Sequence, residues 1–346
     1  MCFGLGEGKR EPLNRYWVSM VPRTGPHFVV SAISNFKSDQ RVADMELNIF
    51  ALAFTSAMLH PWREFFIKQN KNPEGACLAA MMVWTTLAAL HAFIEGIDLF
   101  SIQLIWPITL ASGLGFICFF IFALRTYRDG DFSSYYPITR ADPLFIAIIS
   151  FLFLGKLYSF ILIFGIILVF IGAFFLQYRS GWGILSQPKT LCLAILAMIV
   201  HGMVTLMDAR AVQVVEPMVQ FFWVSLIAVI PLGVIFALNR PKDGHVFEYL
   251  FGGWRQTPGS FLMIGASAYV SYFLMLKAFK MGGEVAALSS IRQASIPISV
   301  LIGGFLLKET NVLKRLNWSL VLALGIVLII VSEYVYTSGA FINKKS

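Results

Sequence analysis

Two arginines stand inside apolar segments of this chain, and they are the residues best suited to do chemistry. Arg140 lies in YPITRADP and Arg292 in SSIRQASIP, each followed closely by a proline. A charge within lipid is costly, so such an arginine is expected to face the interior of a helix bundle or a watery cavity. The guanidinium is a rigid fork of donors that fits a carboxylate, phosphate or phosphonate. The surrounding sequences also align with one another. A shift of 152 residues brings Arg125 onto Lys277, Arg128 onto Lys280, Gly130 onto Gly282, Arg140 onto Arg292 and Lys156 onto Lys308. A duplicated bundle with one interior arginine per half would converge two donor forks on one anionic or zwitterionic solute.

Other polar residues fall near these two. In LHPWREFFIKQ, His60, Arg63, Glu64 and Lys68 share one helical stripe, so Glu64 either neutralises Arg63 or Lys68 or serves the solute path. His201, in AMIVHG, sits in a context like that of His60 in AMLHPW. Asp142 follows Arg140 directly, and Asp208 lies in TLMDARAV. Each carboxylate is either a counter-ion for Arg140 or Arg292, or a proton carrier. Gln293 beside Arg292, with Ser289, Ser290 and Ser295, makes an unusually polar start to an apolar segment. Pro137, Pro143 and Pro297 remove backbone donors and loosen the helices there. Trp62, Trp106, Tyr269 and Tyr272 are candidates for a pocket wall, although aromatics at helix ends usually mark the membrane interface. The solute-binding candidates are therefore Arg140, Arg292, His60, His201, Trp62 and Gln293. The candidates for charge or proton coupling are Asp142, Asp208 and Glu64.

The elements that must position these residues are membrane helices. Of 346 residues, 58% are hydrophobic and 13% charged, and the mean hydropathy is +0.73. Soluble domains carry about 25% charge. Ten apolar runs fall near 46–67, 74–93, 101–124, 133–154, 157–177, 189–209, 217–238, 258–279, 284–306 and 312–337, each near the ~20 residues that span a bilayer core. They lack the alternation of a barrel strand. Five runs precede the polar stretch 179–188 and five follow it. An odd number of spans per half places the halves in opposite orientation, as inverted repeats. Residues 239–257 form the one long connection and read as interfacial. Residues 1–44 read as a polar tail, disordered or a start-assignment artefact, with Met45 opening the first helix, and 338–346 as a short C-terminal tail. Lysines and arginines divide evenly between the two faces, so the positive-inside rule leaves the orientation open. The net charge of +8 reflects these loop anchors and needs no nucleic-acid partner. The four cysteines show neither metal-ligand spacing nor a disulfide framework. No zinc-protease, nucleophile-elbow or Walker motif occurs, so the chain does not read as an enzyme or an ATP-driven pump.

The segments YPITRADPLFIAIISFLFLGK and LSSIRQASIPISVLIGGFLLKET each resemble the fourth-helix pattern of the EamA-like family of the drug/metabolite transporter superfamily. LHPWREFFIK and TLMDARAV resemble variants of its first and sixth helices. The resemblance covers residues 45–337, with one departure: Lys156 stands where many members carry glutamate, which Glu309 retains in the second half. It implies ten helices, cytoplasmic termini and gradient-driven export or exchange of small metabolites.

The resulting expectation is an all-α integral membrane protein with ten transmembrane helices in two inverted five-helix repeats, 45–178 and 189–337. It would be a multi-pass protein, placed in a bacterial inner membrane. Its expected activity is secondary transport of a small anionic or zwitterionic metabolite by alternating access, with a proton as one possible coupling ion and no cofactor or metal. One alternative is a proton-coupled exporter of cationic amines or drugs using Glu64 and Asp142. Another is a non-transporting membrane protein or lipid flippase.

Overall fold

The computed structural model describes residues 47–62, 72–129, 135, 138–177, 187–240, 245–256, 258–298, 301 and 312–342, all within the compact unit Asp44–Ser346. The expected tail at 1–44, and Arg63, Glu64, Lys68, Pro137, Gly303, Gly304, Lys308 and Glu309, lie outside the described residues. The described elements are helical, with no strand among them. They are α1 (47–62), α2 (Pro73–Ile94), α3 (Trp106–Asp129), α4 (Asp142–Leu154), α5 (Phe160–Gln177), α6 (Pro188–Ala211), α7 (Pro217–Leu238), α8 (Val246–Gln256), α9 (Pro258–Lys280), α10 (Val285–Ile291) and α11 (Val312–Ile342).

Helix starts follow local chemistry. Proline opens α2, α6, α7 and α9, where its missing N–H would have no intrahelical partner. Asn72 caps α2 by accepting from the Gly75 amide at 3.1 Å. Helix ends use the left-handed region: Gly155 closes α4 at φ 62° and Gly282 follows α9 at φ 97°, values that an L side chain resists.

Among the described residues, six helices, α2, α3, α6, α7, α9 and α11, are long and apolar enough to cross a membrane, and shorter apolar helices run over Asp142–Phe153 and Phe160–Leu176. The expected spans at 133–154 and 284–306 are broken. Instead of one continuous helix, the first has a turn at Arg140 before α4 begins, and in the second α10 ends after seven residues in the 3-10 turn Arg292–Ala294. The connection expected at the interface contains α8, whose Leu250 is buried. The Asn72 side chain donates to the Tyr249 carbonyl at 2.5 Å, and the Tyr249 hydroxyl bonds Glu74, so α8 is strapped to the start of α2.

The bundle is built by pairs: α5 against α11, α3 against α6 and α7, α2 against α7 and α9, and α4 against α6 and α10. Small residues permit the closest pair. A Cβ on Gly172 would meet the Leu322 amide nitrogen at 2.6 Å, and one on Gly325 would meet the Gly165 carbonyl oxygen at 2.7 Å. The backbones of α5 and α11 therefore touch, as small-residue stripes allow in membranes. On the outer face of α11, Leu320, Leu324, Val327, Val331 and Val335 are exposed at near-helical spacing, and Phe160, Phe164 and Ile167 do the same on α5. A contiguous apolar patch of this kind needs lipid to cover it. The molecule is thus a multi-pass integral membrane protein.

Candidate functional site

Arg140 is placed by a backbone fault. Pro143 has no N–H to give the Thr139 carbonyl, so the short helix at 138–139 cannot run into α4. The Ala141 amide bonds the Ile138 carbonyl and the Leu144 amide bonds the Ala141 carbonyl, both at 3.1 Å. These tight turns take away the donor that the Arg140 carbonyl would have in a regular helix. Gln293 supplies a replacement: its Nε2 donates to the Arg140 carbonyl at 2.8 Å. Arg292 sits at the matching fault in the other half, where α10 tightens to 3-10 geometry ahead of Pro297. Such tightening inside a helical segment often marks a hinge. Each interior arginine therefore stands at a discontinuity, and Gln293 bonds one discontinuity to the other.

Both guanidinium groups approach one imidazole. Arg140 Nη2 lies 2.7 Å from His60 Nε2 and Arg292 Nη2 lies 3.4 Å from His60 Nδ1. A guanidinium only donates, so Nε2 accepts from Arg140. His60 is buried and lies between the two forks; with Nε2 accepting, Nδ1 carries the ring proton, so its 3.4 Å approach to Arg292 is a contact between donors. Arg292 also lies 5.5 Å above the centroid of the Tyr272 ring, a cation–π geometry.

Behind Tyr272 is a buried carboxylate. Asp208 is 1% exposed and takes three hydrogen bonds: from the Tyr272 hydroxyl, from Ser112 Oγ at 2.5 Å and from Gln220 Nε2 at 2.8 Å. Thr109 Oγ1 donates to Gln220 Oε1 at 2.7 Å, which fixes that amide's orientation. Asp208 thus joins α3, α6, α7 and α9. Asp142 turns to a different partner, its Oδ2 lying 3.2 Å from His201 Nδ1. That distance is within ion-pair reach, but the angle is not that of a hydrogen bond, since Nδ1 has none. The two aspartates expected as counter-ions or proton carriers thus differ: Asp208 is tied into a polar hub, and Asp142 faces an imidazole.

These groups surround a small, narrow cavity. His60 from α1, Arg140 and Arg292 from the two breaks, and His201 from α6 form its polar wall. Trp84 of α2, Phe116, Phe119 and Phe120 of α3, Phe221 of α7 and Tyr272 of α9 form the rest, with Ala268. Of the expected site residues, the structure brings Arg140, Arg292, His60 and His201 to this wall. Gln293, Asp142 and Asp208 support it from behind, and Glu64 lies outside the described residues. Trp62 is not among the lining residues and is 40% exposed at the described end of α1. Of the other aromatics considered, only Tyr272 lines the cavity. Trp106 is exposed, and the Tyr269 hydroxyl bonds His91 Nδ1 at 2.7 Å. The phenylalanines and Trp84 were missed. Phe116, Phe119 and Phe120 show helical spacing in the sequence, but the chain has 32 phenylalanines, and a lipid-facing stripe reads the same way. Among the described residues, no group of three or more His, Cys, Asp or Glu side chains is arranged to hold a metal ion.

Lys156 also finds a partner. It donates to Glu284 at 3.1 Å, and the Tyr158 hydroxyl donates to the same carboxylate oxygen at 3.0 Å. The other oxygen of Glu284 accepts from the Ala287 amide at 2.8 Å and caps α10. The α4 end that follows Arg140 is thereby joined to the α10 start that precedes Arg292.

Sequence comparison finds one family likeness, confined to the second half of the chain. Residues 188–332 match the EamA-like transporter family, which belongs to the drug/metabolite transporter superfamily. The match covers 145 of the 346 residues, all in the second half of the chain. No curated protein sequence matches the chain. A solved structure titled only "Crystal structure of protein" superposes with a TM-score of 0.68 at 13% identity, covering 82% of this chain and 98% of that one. At that identity the likeness is one of fold.

Proposed function

We propose that the protein is a secondary transporter of a small organic anion or zwitterion, exported or exchanged by alternating access about the Arg140–His60–Arg292 cavity. The observation that carries this reading is that two arginines, from different halves of the chain, reach the two nitrogens of one buried histidine. A carboxylate entering between them would receive a donor fork from each side. His60 stands between the forks and accepts from Arg140. Asp208 anchors Tyr272, and the Tyr272 ring supports Arg292. Asp142 and His201 form a second pair at the wall, able to exchange charge when solute enters.

The architecture read here is ten spans in two inverted repeats, 45–178 and 189–337, with α8 added between the seventh and eighth. Helix pairing supports it. Exchanging α1, α2, α3, α4 and α5 with α6, α7, α9, α10 and α11 maps the pairs α2–α7, α4–α10 and α5–α11 onto themselves, and α2–α9 onto α3–α7. The same exchange maps α3–α6 onto α1–α9, which Ser56 and Ser271 join reciprocally, each hydroxyl donating to the other's carbonyl at 2.6 and 2.8 Å. Broken helices at the repeat interface are where inverted-repeat carriers bind solute.

The test is flux of a small-acid panel in liposomes containing purified wild type or Arg140→Gln. The variant should insert and fold but lose concentrative transport. Undiminished flux through Arg140→Gln would remove the anion clamp.

A further inference from the structure

We infer that the organic body of the solute is aromatic, so that the cavity takes an arene-bearing carboxylate or a like anion. This rests on the anion reading above and adds the chemistry of the part the arginines do not hold. Six of the eleven lining residues, Trp84, Phe116, Phe119, Phe120, Phe221 and Tyr272, carry aromatic carbon rings, whereas such residues make up 15% of the chain. Leucine, isoleucine and valine dominate the described apolar surface elsewhere, yet among the described residues none of them lines this cavity. A site for an aliphatic chain has no reason to exclude them.

The rings form a connected series. Trp84 meets Phe221 at 5.5 Å between centroids, Phe221 meets Tyr272 at 5.1 Å, and Tyr272 meets Phe116 edge-on at 6.2 Å. Phe116 meets Phe120 at 5.5 Å, Phe120 meets Phe119 at 5.4 Å, and Phe119 meets the His201 imidazole at 4.7 Å. All fall in the range where the ring quadrupoles attract. An entering arene replaces ring–ring contacts with contacts of the same kind. A saturated ring of the same size forfeits that part, a difference of about tenfold in affinity for one or two ring pairs. Phe119 and Phe120 are only half-buried and are the rings free to part.

An aromatic wall also suits a cation, but Arg140 and Arg292 share this space. One face of the Tyr272 ring is already occupied by the Arg292 guanidinium, and among the described residues no carboxylate lines the cavity. A bare cation would meet two positive charges at the wall, whereas an aromatic acid would place its carboxylate toward the arginines and its ring among the six.

The experiment is thermal unfolding of the purified chain with benzoate, phenylacetate and 2-naphthoate, each against its fully saturated analogue, with benzylamine as a fourth arm. Ligands that bind only the folded form raise the midpoint with concentration, which yields an apparent affinity. The aromatic acids should bind about tenfold more tightly than the saturated ones. Phe119→Leu, which removes one of the six rings, should narrow that preference, and an unchanged aromatic-to-saturated ratio in this variant would count against the assignment. Equal or tighter binding of saturated acids overturns the aromatic assignment and leaves the anion site standing. Stabilisation by benzylamine alone, or by none of the compounds, overturns both.

Discussion

At the scale of single residues, several buried polar groups are held by partners from different helices. Asp208 is the clearest case: a carboxylate has only acceptors, and each of its three donors comes from a different helix. Asp208→Asn keeps the shape but replaces one acceptor oxygen with a donor. At least one of Ser112, Gln220 and Tyr272 then faces a donor, and a buried polar group left unsatisfied costs about 1–3 kcal/mol. The expected result is a loss of about 2 kcal/mol or more in stability, read as a lower unfolding midpoint of the purified protein. Weaker anion binding should accompany it, because Tyr272 no longer fixes Arg292. An unchanged midpoint would show that the hub is not formed as described. Sequence inspection found Asp208, His60 and both arginines because charges are rare in apolar runs. It also selected Trp62, since a tryptophan beside His60 looks the same whether it faces a cavity or the bilayer.

At the scale of elements, prolines and caps decide where helices break. Pro143 and Pro297 were visible in the sequence, and so was the chance of loosened backbone. That Gln293 would bond the freed Arg140 carbonyl was not visible, because it depends on two segments 153 residues apart. The same holds for Lys156, whose departure from the family pattern finds its partner in Glu284. The pair is asymmetric. Glu284 has 14% of its side chain exposed, against 42% for Lys156, and it also caps α10. Glu284→Ala should therefore cost about 1 kcal/mol from the lost cap alone. Lys156→Ala should cost less than that, since half-exposed ion pairs contribute little. Equal unfolding midpoints for the two variants would contradict this division.

At the scale of the whole molecule, lipid-facing stripes on α5 and α11 enclose a polar centre. The ten-span reading predicts which connections share a membrane face. Leu157, between α4 and α5, Val214, between α6 and α7, and Leu238, at the end of α7, are all exposed. Single cysteines at 157 and 214 should react with a membrane-impermeant maleimide from the same side, and one at 238 from the other. The native Cys118 and Cys192, which are also exposed, must first be replaced. Labelling of 157 and 214 from opposite faces would rule out the arrangement of five spans per half.

The sequence by itself determined the medium and the scale of the protein: long apolar runs must be helices in lipid, since no other continuous segment satisfies its own backbone there. It also determined which charges have no business in lipid, and so identified Arg140, Arg292, His60, His201 and Asp208. Only the tertiary structure decided that α8 straps down onto α2 and that Arg140 and Arg292 share one histidine. It alone decided that Trp84, Phe116 and Phe221 face a cavity while Phe160 and Phe164 face outward. The reason is physical: in a membrane both the interior and the surroundings are apolar, so the inside–outside contrast that sorts side chains in water is missing. Direction is then set by which helices touch, and that information lies in contacts between residues far apart in the chain.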